Sequence, residues 1–267
     1  MAKISDEIRN EFSDTIKPYQ SKITAILAKE RTVLNSIEGG AEDSAYKKIM
    51  LCEDMIYVST LYMAQNSLSL KILDVKNNDA LNESRKILYK AIIYLEELVT
   101  NFIDVAYTDL ADKHEAIKKS SVHDRFYLIR KLGLAINLLE LALGDNSKWK
   151  WSFVELKGRY AVVAKNFINM KQACKDYFDH NSPVYETTVT YIRLLRNLLD
   201  KCAMEYRDRY ELASRRLDDM RMAINLLIAN RRIAMALGDN TEYENIRKKA
   251  LVWKTKMEAD VKAGSSK

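Results

Sequence analysis

The chain has 267 residues, 48% of them hydrophobic and 30% charged, with a net charge of +6. That is enough for a sizeable core, in one domain or two small ones. Only 7 Gly and 2 Pro are present, which argues against a many-turned β fold, while Leu, Ala, Lys, Glu, Arg and Met favour helix. No apolar run approaches the roughly 18 residues needed to cross a bilayer, so no membrane insertion is expected.

The opening stretch MAKISDEIRNEF is charged and lacks the apolar core of a secretory signal. Cys52, Cys174 and Cys202 are far apart, odd in number and without a CxxC spacing. Inert thiols in a reducing, cytoplasmic compartment fit this better than disulfides.

Punctuation residues divide the chain into helices. Ser5 is placed to cap a first helix, with Asp6 and Glu7 in its first turn. Pro18 either kinks it or opens another helix, and Gly39-Gly40 ends the run. A second run extends from Asp43 or Ser44 to about Asp74. The cluster KNND at 76–79 breaks it, and a third helix is expected to continue to about Ala116. Ser120 or Ser121 opens the next, with Asp124 as a capping-box acid.

The pentapeptide ALGDN then occurs at 142–146 and again at 236–240. In each copy the glycine suits the left-handed position that ends a helix, and Asp-Asn turns the chain. Ser147 caps a helix expected to reach His180. In the second copy Thr241 and Glu244 are read as a capping box for a last helix, to about Ala259. Asp145 and Asp239 could instead bind a ligand, but turn acids ordinarily cap. Between the copies, HNSP at 180–183 signals a helix start, with Ser182 as cap and Pro183 at its first position.

The stretches ALGDNTEYENIRKKAL and LKGRY (156–160) resemble junctions of tetratricopeptide repeats. The resemblance implies a scaffold of helical hairpins that binds other proteins. The two ALGDN copies lie 94 residues apart, unlike a 34-residue repeat. The expected fold is all-α: one domain over 1–267, built as an elongated bundle of seven to eight helices in antiparallel hairpins. A subdivision at 119/120 is possible, and 263–267 form a frayed tail.

Residues 183–237 contain no glycine and no proline after Pro183. As one helix they would span about 82 Å. Leu199, Ala203, Tyr206, Tyr210, Ala213, Leu217, Met220, Ile224 and Leu227 follow a 4-3-4-3 spacing, the pattern of a coiled-coil seam. Arg207, Arg209, Arg216 and Arg221 flank that seam. Like charges there disfavour self-pairing and favour an acidic partner, either 91–112 of this chain or another protein.

The charge is uneven. Residues 1–186 hold 26 Lys+Arg and 26 Asp+Glu, whereas 187–267 hold 17 and 11. Arg231, Arg232, Arg247, Lys248 and Lys249 surround the second ALGDN, with Tyr243 and Trp253 nearby. Basic and aromatic residues interleaved in this way suit single-stranded nucleic acid.

Catalytic and metal signatures are missing. His114, His123 and His180 form no HExxH, and the Asp176/His180 pair finds no second pair. Asp218-Asp219 begins a DDxxD-like pattern, but Met222 stands at the third acid. No metal or cofactor is expected. Trp149, Trp151 and Trp253 read as core, and Gly133 and Gly158 as points of close helix approach. The leading expectation is a non-catalytic interaction or scaffold protein, with a protein partner or self-assembly. Nucleic-acid binding through the basic third is the alternative, and an enzyme with a pocket between helices ranks third.

Overall fold

The structure, a computed structural model, describes residues 5–40, 42–144 and 147–265. Among these it is all-α, with ten α-helices and no strand. In chain order these are α1 (Asp6–Glu38), α2 (Ser44–Leu73), α3 (Asn78–Leu98), α4 (Ala111–Ala116), α5 (Val122–Leu143), α6 (Lys150–Phe167), α7 (Met170–Phe178), α8 (Tyr185–Arg209), α9 (Leu217–Ala236) and α10 (Asn240–Ser265). No helix among the described residues is long and apolar enough to cross a membrane.

The chain folds into two compact units, each made of two segments: 1–98 with 127–150, and 99–126 with 151–267. The 119/120 boundary considered above falls inside the second unit.

In the first unit α1 packs on α2 and α2 on α3. Leu51, Met55, Val58, Leu81, Leu88 and Leu95 fill the interior. Each such side chain contributes about 1.5–3 kcal/mol through burial. Several polar groups within this core are paired, as burial favours, although Gln65 Nε2 is buried without a hydrogen-bond partner. The Ser59 and Ser84 hydroxyls share a 2.8 Å hydrogen bond. Glu30 accepts from the Tyr94 hydroxyl and pairs with Lys90 Nζ at 2.9 Å. Pro18 sits inside α1 without ending it.

Several local signals act as the sequence suggests. The Ser5 side chain accepts from the Ile8 N–H. Ser121 and Asp124 form a reciprocal box: the Asp124 N–H donates to Ser121 Oγ at 3.1 Å, and the Ser121 N–H to Asp124 Oδ2 at 3.1 Å. Gly144 and Gly238 both adopt positive φ, 80° and 69°. Asp145, and with it the first copy's turn acid, lies outside the described residues.

The second copy is capped differently from the expectation. After α9, the Asp239 N–H bonds Ala234 O at 3.0 Å and the Gly238 N–H bonds Met235 O at 3.1 Å. This is the double closure that a left-handed glycine permits. Asp239 Oδ1 then accepts the Glu242 N–H at 3.1 Å, so Asp239 is the cap. Thr241 lies one position inside α10, because the turn already supplies a carboxylate at the orphaned N–H groups.

Three helices are shorter than expected. The third ends at Leu98 rather than near Ala116. Side chains satisfy the carbonyls of the loop that follows: Lys113 takes Val99 O, Asn166 Nδ2 takes Thr100 O and Phe102 O, and Lys165 Nζ takes Ile103 O at 2.9 Å. The run from Ser147 to His180 divides into α6 and α7, with the Asn169 side chain capping the second. HNSP precedes α8 as expected, but the helix starts at Tyr185.

The 183–237 run is not one helix. α8 ends at Arg209, a π-turn covers Tyr210–Ser214, Arg215 is left-handed at φ 53° and Arg216 is extended. α9 then packs back along α8. The seam positions lie on both sides of this corner: Leu199, Ala203, Tyr206, Tyr210, Met220, Ile224 and Leu227 are buried, whereas Ala213 is exposed and Leu217 half-buried where the chain turns. At Gly158 of α6, an added Cβ would lie 2.4 Å from Tyr206 Cε2, which makes this glycine a point of close approach to α8.

Candidate functional site

All ten charged and aromatic candidates lie in the second unit, and they separate into four groups. At the α8–α9 corner, Arg209 pairs with Asp219 and donates to Trp151 O at 3.1 Å. Asp219, 4% exposed, also accepts from Ser214 Oγ at 2.5 Å. It is therefore a corner residue and not part of a solvated acidic face. Arg221 pairs with Asp218 at 3.0 Å, and Arg216 is exposed.

Arg207 and Lys249 each lie 5.3 Å from the Trp253 ring centre. Arg207 pairs with Glu211 at 3.0 Å and Lys249 with Asp200 at 2.7 Å. Trp253 is buried, in keeping with the core reading. At the second ALGDN corner, Arg231 stacks on Tyr243 at 5.4 Å, Arg247 pairs with Glu244 at 3.0 Å, and Lys248 is exposed. Asp239 also pairs with Arg196 at 3.1 Å. The Glu242 N–H first, and then Arg196, hold the Asp239 carboxyl below its usual range against an opposing burial effect.

Arg232 belongs to the fourth group, where it pairs with Asp104. Its charge reaches Lys165, only 1% exposed. Burial, and then Arg232, lower the Lys165 ammonium to about 8, with Asp104 opposing. A buried lysine with carbonyl and amide acceptors serves to hold the 99–106 loop. Asp176 and His180 do not converge: Asp176 accepts from Gln172 and Ser182, whereas His180 packs on Tyr185. No metal-binding cluster occurs among the described residues.

A surface that the sequence reading missed lies on α5, within the first unit. Leu128, Ile129, Leu132, Ala135, Ile136 and Leu139 face the core. Tyr127, Leu134, Leu138 and Leu141 are exposed, with Leu134 at 60% and Leu141 at 76%. Their spacing of 7, 4 and 3 places them on one face. Arg130 and Lys131 lie exposed between Tyr127 and Leu134. Lys131 reaches Glu53 at 3.0 Å, and the Arg130 guanidinium lies 5.9 Å from the Tyr127 ring. The signal was present in LGLAINLLELAL, where only Asn137 and Glu140 are polar, so that apolar residues extend beyond the stripe an ordinary surface helix needs for its core.

No curated protein and no solved structure matches the chain. The tetratricopeptide likeness finds no family match. The model of the TP0443 family matches residues 8–261, which include both units and every candidate residue above, and the chain belongs to the TP0443 family.

Proposed function

We propose that this is a non-catalytic interaction or scaffold protein, cytoplasmic, and that the outer face of α5 docks a protein partner. The partner fitted to this face is an amphipathic helix whose apolar side is flanked by acids. The carrying observation is the row Tyr127, Leu134, Leu138 and Leu141, exposed on a helix whose opposite face is already core. Apolar rows of this kind on a soluble surface mark interaction sites more often than chance. Arg130 and Lys131, the latter exposed although it also reaches Glu53, lie beside the row and favour acids at the rim of the partner. The helix-in-groove mode of recognition uses the same spacing of anchors.

The test is a photo-crosslinking side chain at Leu138, with one at the exposed Asn225 of α9 as control. The expected crosslinked peptide carries apolar residues at helical spacing flanked by Asp or Glu. Its yield falls about tenfold in Leu134→Glu and by less in Lys131→Glu. Crosslinks no more frequent than at position 225, or landing on a basic peptide, would overturn the reading. Crosslinks to a second copy of this chain would replace the partner by self-assembly and overturn it as well.

Nucleic-acid binding has weaker support. Arg207, Arg209, Arg221, Arg232, Arg247 and Lys249 are each engaged with a carboxylate, which a phosphate would have to displace. Binding of a labelled oligonucleotide that weakens with salt would revive this reading.

A further inference from the structure

Within the second unit, α4, the start of α5 and α7 line a cleft of about 860 Å³. Sites for small organic ligands have this size. Much of its wall is apolar, including Val122, Ile168, Met170 and Ala173. The helices α5 and α7 both begin on it. First-turn N–H groups lack intrahelical acceptors and carry partial positive charge. At α7 the Asn169 side chain takes the Gln172 N–H, and Asn169 O takes that of Ala173. Met170 and Lys171, the first residues of α7, line the cleft.

A second observation is independent of the helix ends. His114 of α4 lines the cleft and is only 7% exposed. Its Nδ1 faces Arg125 Nη1 at 3.5 Å. A guanidinium only donates, so Nδ1 accepts and the proton resides on Nε2. Burial, and then Arg125, lower His114 to about 4, which keeps the ring neutral at pH 7. The Nε2–H has no acceptor among the described residues. Nor has the Tyr107 hydroxyl, closed off from solvent in the same wall.

Arg125, also 7% exposed, brings positive charge to this wall and donates to Ile117 O at 2.7 Å. The acids lining the cleft are engaged. Glu115 pairs with Lys118, and Asp176 accepts from Gln172 at 3.2 Å and Ser182 at 3.1 Å. The site is thus rich in donors and apolar surface, and its charge is positive where it is most buried.

We propose that this cleft binds a small organic anion, a carboxylate or phosphate carried on an apolar body. The charged end meets Arg125, the His114 Nε2–H and the start of α7, and the body lies along Ile168 and Met170. This site is in a different unit from the docking face and does not depend on it.

Calorimetry on the full chain, with phenyl phosphate, decanoate, decanol and inorganic phosphate, tests the proposal. Phenyl phosphate or decanoate should bind about tenfold or more tightly than inorganic phosphate and decanol. The preference between the first two separates a phosphorylated metabolite from a fatty-acid-type carboxylate. Ala111→Trp, at an exposed position lining the cleft, and His114→Phe should each weaken that binding about tenfold or more. If His114→Phe fails to fold, Ala111→Trp decides. The proposal is overturned if decanol binds as well as decanoate, if inorganic phosphate matches phenyl phosphate, or if nothing binds at about millimolar concentration. A folded Ala111→Trp variant with undiminished binding overturns it too.

Discussion

Among the described residues, each unit turns the chain once through a left-handed residue that is not glycine: Asp74 after α2 and Arg215 before α9, both at φ 53°. The two turns are held in different ways. Asp tolerates this conformation, and the polar cluster that follows it is turn chemistry. Asn77 Oδ1 accepts the Ala80 N–H at 3.0 Å and so caps α3 from three residues away. Arg has no such tolerance, and left-handed backbone costs it about 1–2 kcal/mol. Residues distant in sequence hold the second corner in place. Arg209 is fixed by Asp219 and by Trp151 O, and the Tyr210 hydroxyl donates to Asp260 of α10 at 2.7 Å. A turn can be local property or tertiary consequence, and φ alone does not separate the two.

The largest effect should come from Asp219→Ala. It leaves Arg209 without its carboxylate and should cost about 3–5 kcal/mol in urea unfolding. Asn77→Ala, which removes only a local cap, should cost about 1 kcal/mol. Equal costs would break the distinction between the corners. Gly158→Ala probes the packing that positions α8. The crowding against Tyr206 costs about 1–3 kcal/mol, offset by about 1 kcal/mol of helix propensity. A net destabilisation that vanishes when Tyr206→Leu is added would tie it to that contact.

Arg215→Gly should stabilise by about 1 kcal/mol, and Asp74→Gly by a few tenths at most, roughly the difference in left-handed tolerance. The reverse order would mean that Arg215 gains more from its surroundings than its backbone costs. The smallest effect concerns acid. Asp239 has a folded pKa below the usual 3.8, so the unfolded state binds the proton first. Its contribution is present above about pH 4 and lost as pH falls through the lower folded value. Asp239→Asn should flatten that part of the pH–stability profile.

Much of the fold was legible. Ser5, Gly39-Gly40, Ser121 with Asp124, and both ALGDN glycines act at helix ends through bonds to neighbours within five residues, which a sequence displays. The breaks at Leu98 and Arg215 were not legible, because Lys165 and Asn166 act at the first, and Trp151 and Asp260 at the second, from far along the chain. The break at Asn169 carries a local cap, the Asn169 side chain on the Gln172 N–H, that the sequence reading passed over. Of the candidate residues, the basic cluster was visible as charge, but its pairing with Asp104, Asp200 and Asp219 was not. The outer face of α5 was legible in principle, since LGLAINLLELAL has only Asn137 and Glu140 as polar residues and more apolar positions than one core-facing stripe holds.

The sequence by itself determined that this protein is all-helical, and where several of its helices begin and end. Scarce breakers, apolar periodicity and capping residues are local physics. Only the tertiary structure decided that the 183–237 run folds back at Arg215, which basic residues are spent on internal carboxylates, and that His114, Arg125 and two helix starts meet at one cleft. Each of these depends on which distant groups become neighbours, and helical spacing carries no information about that.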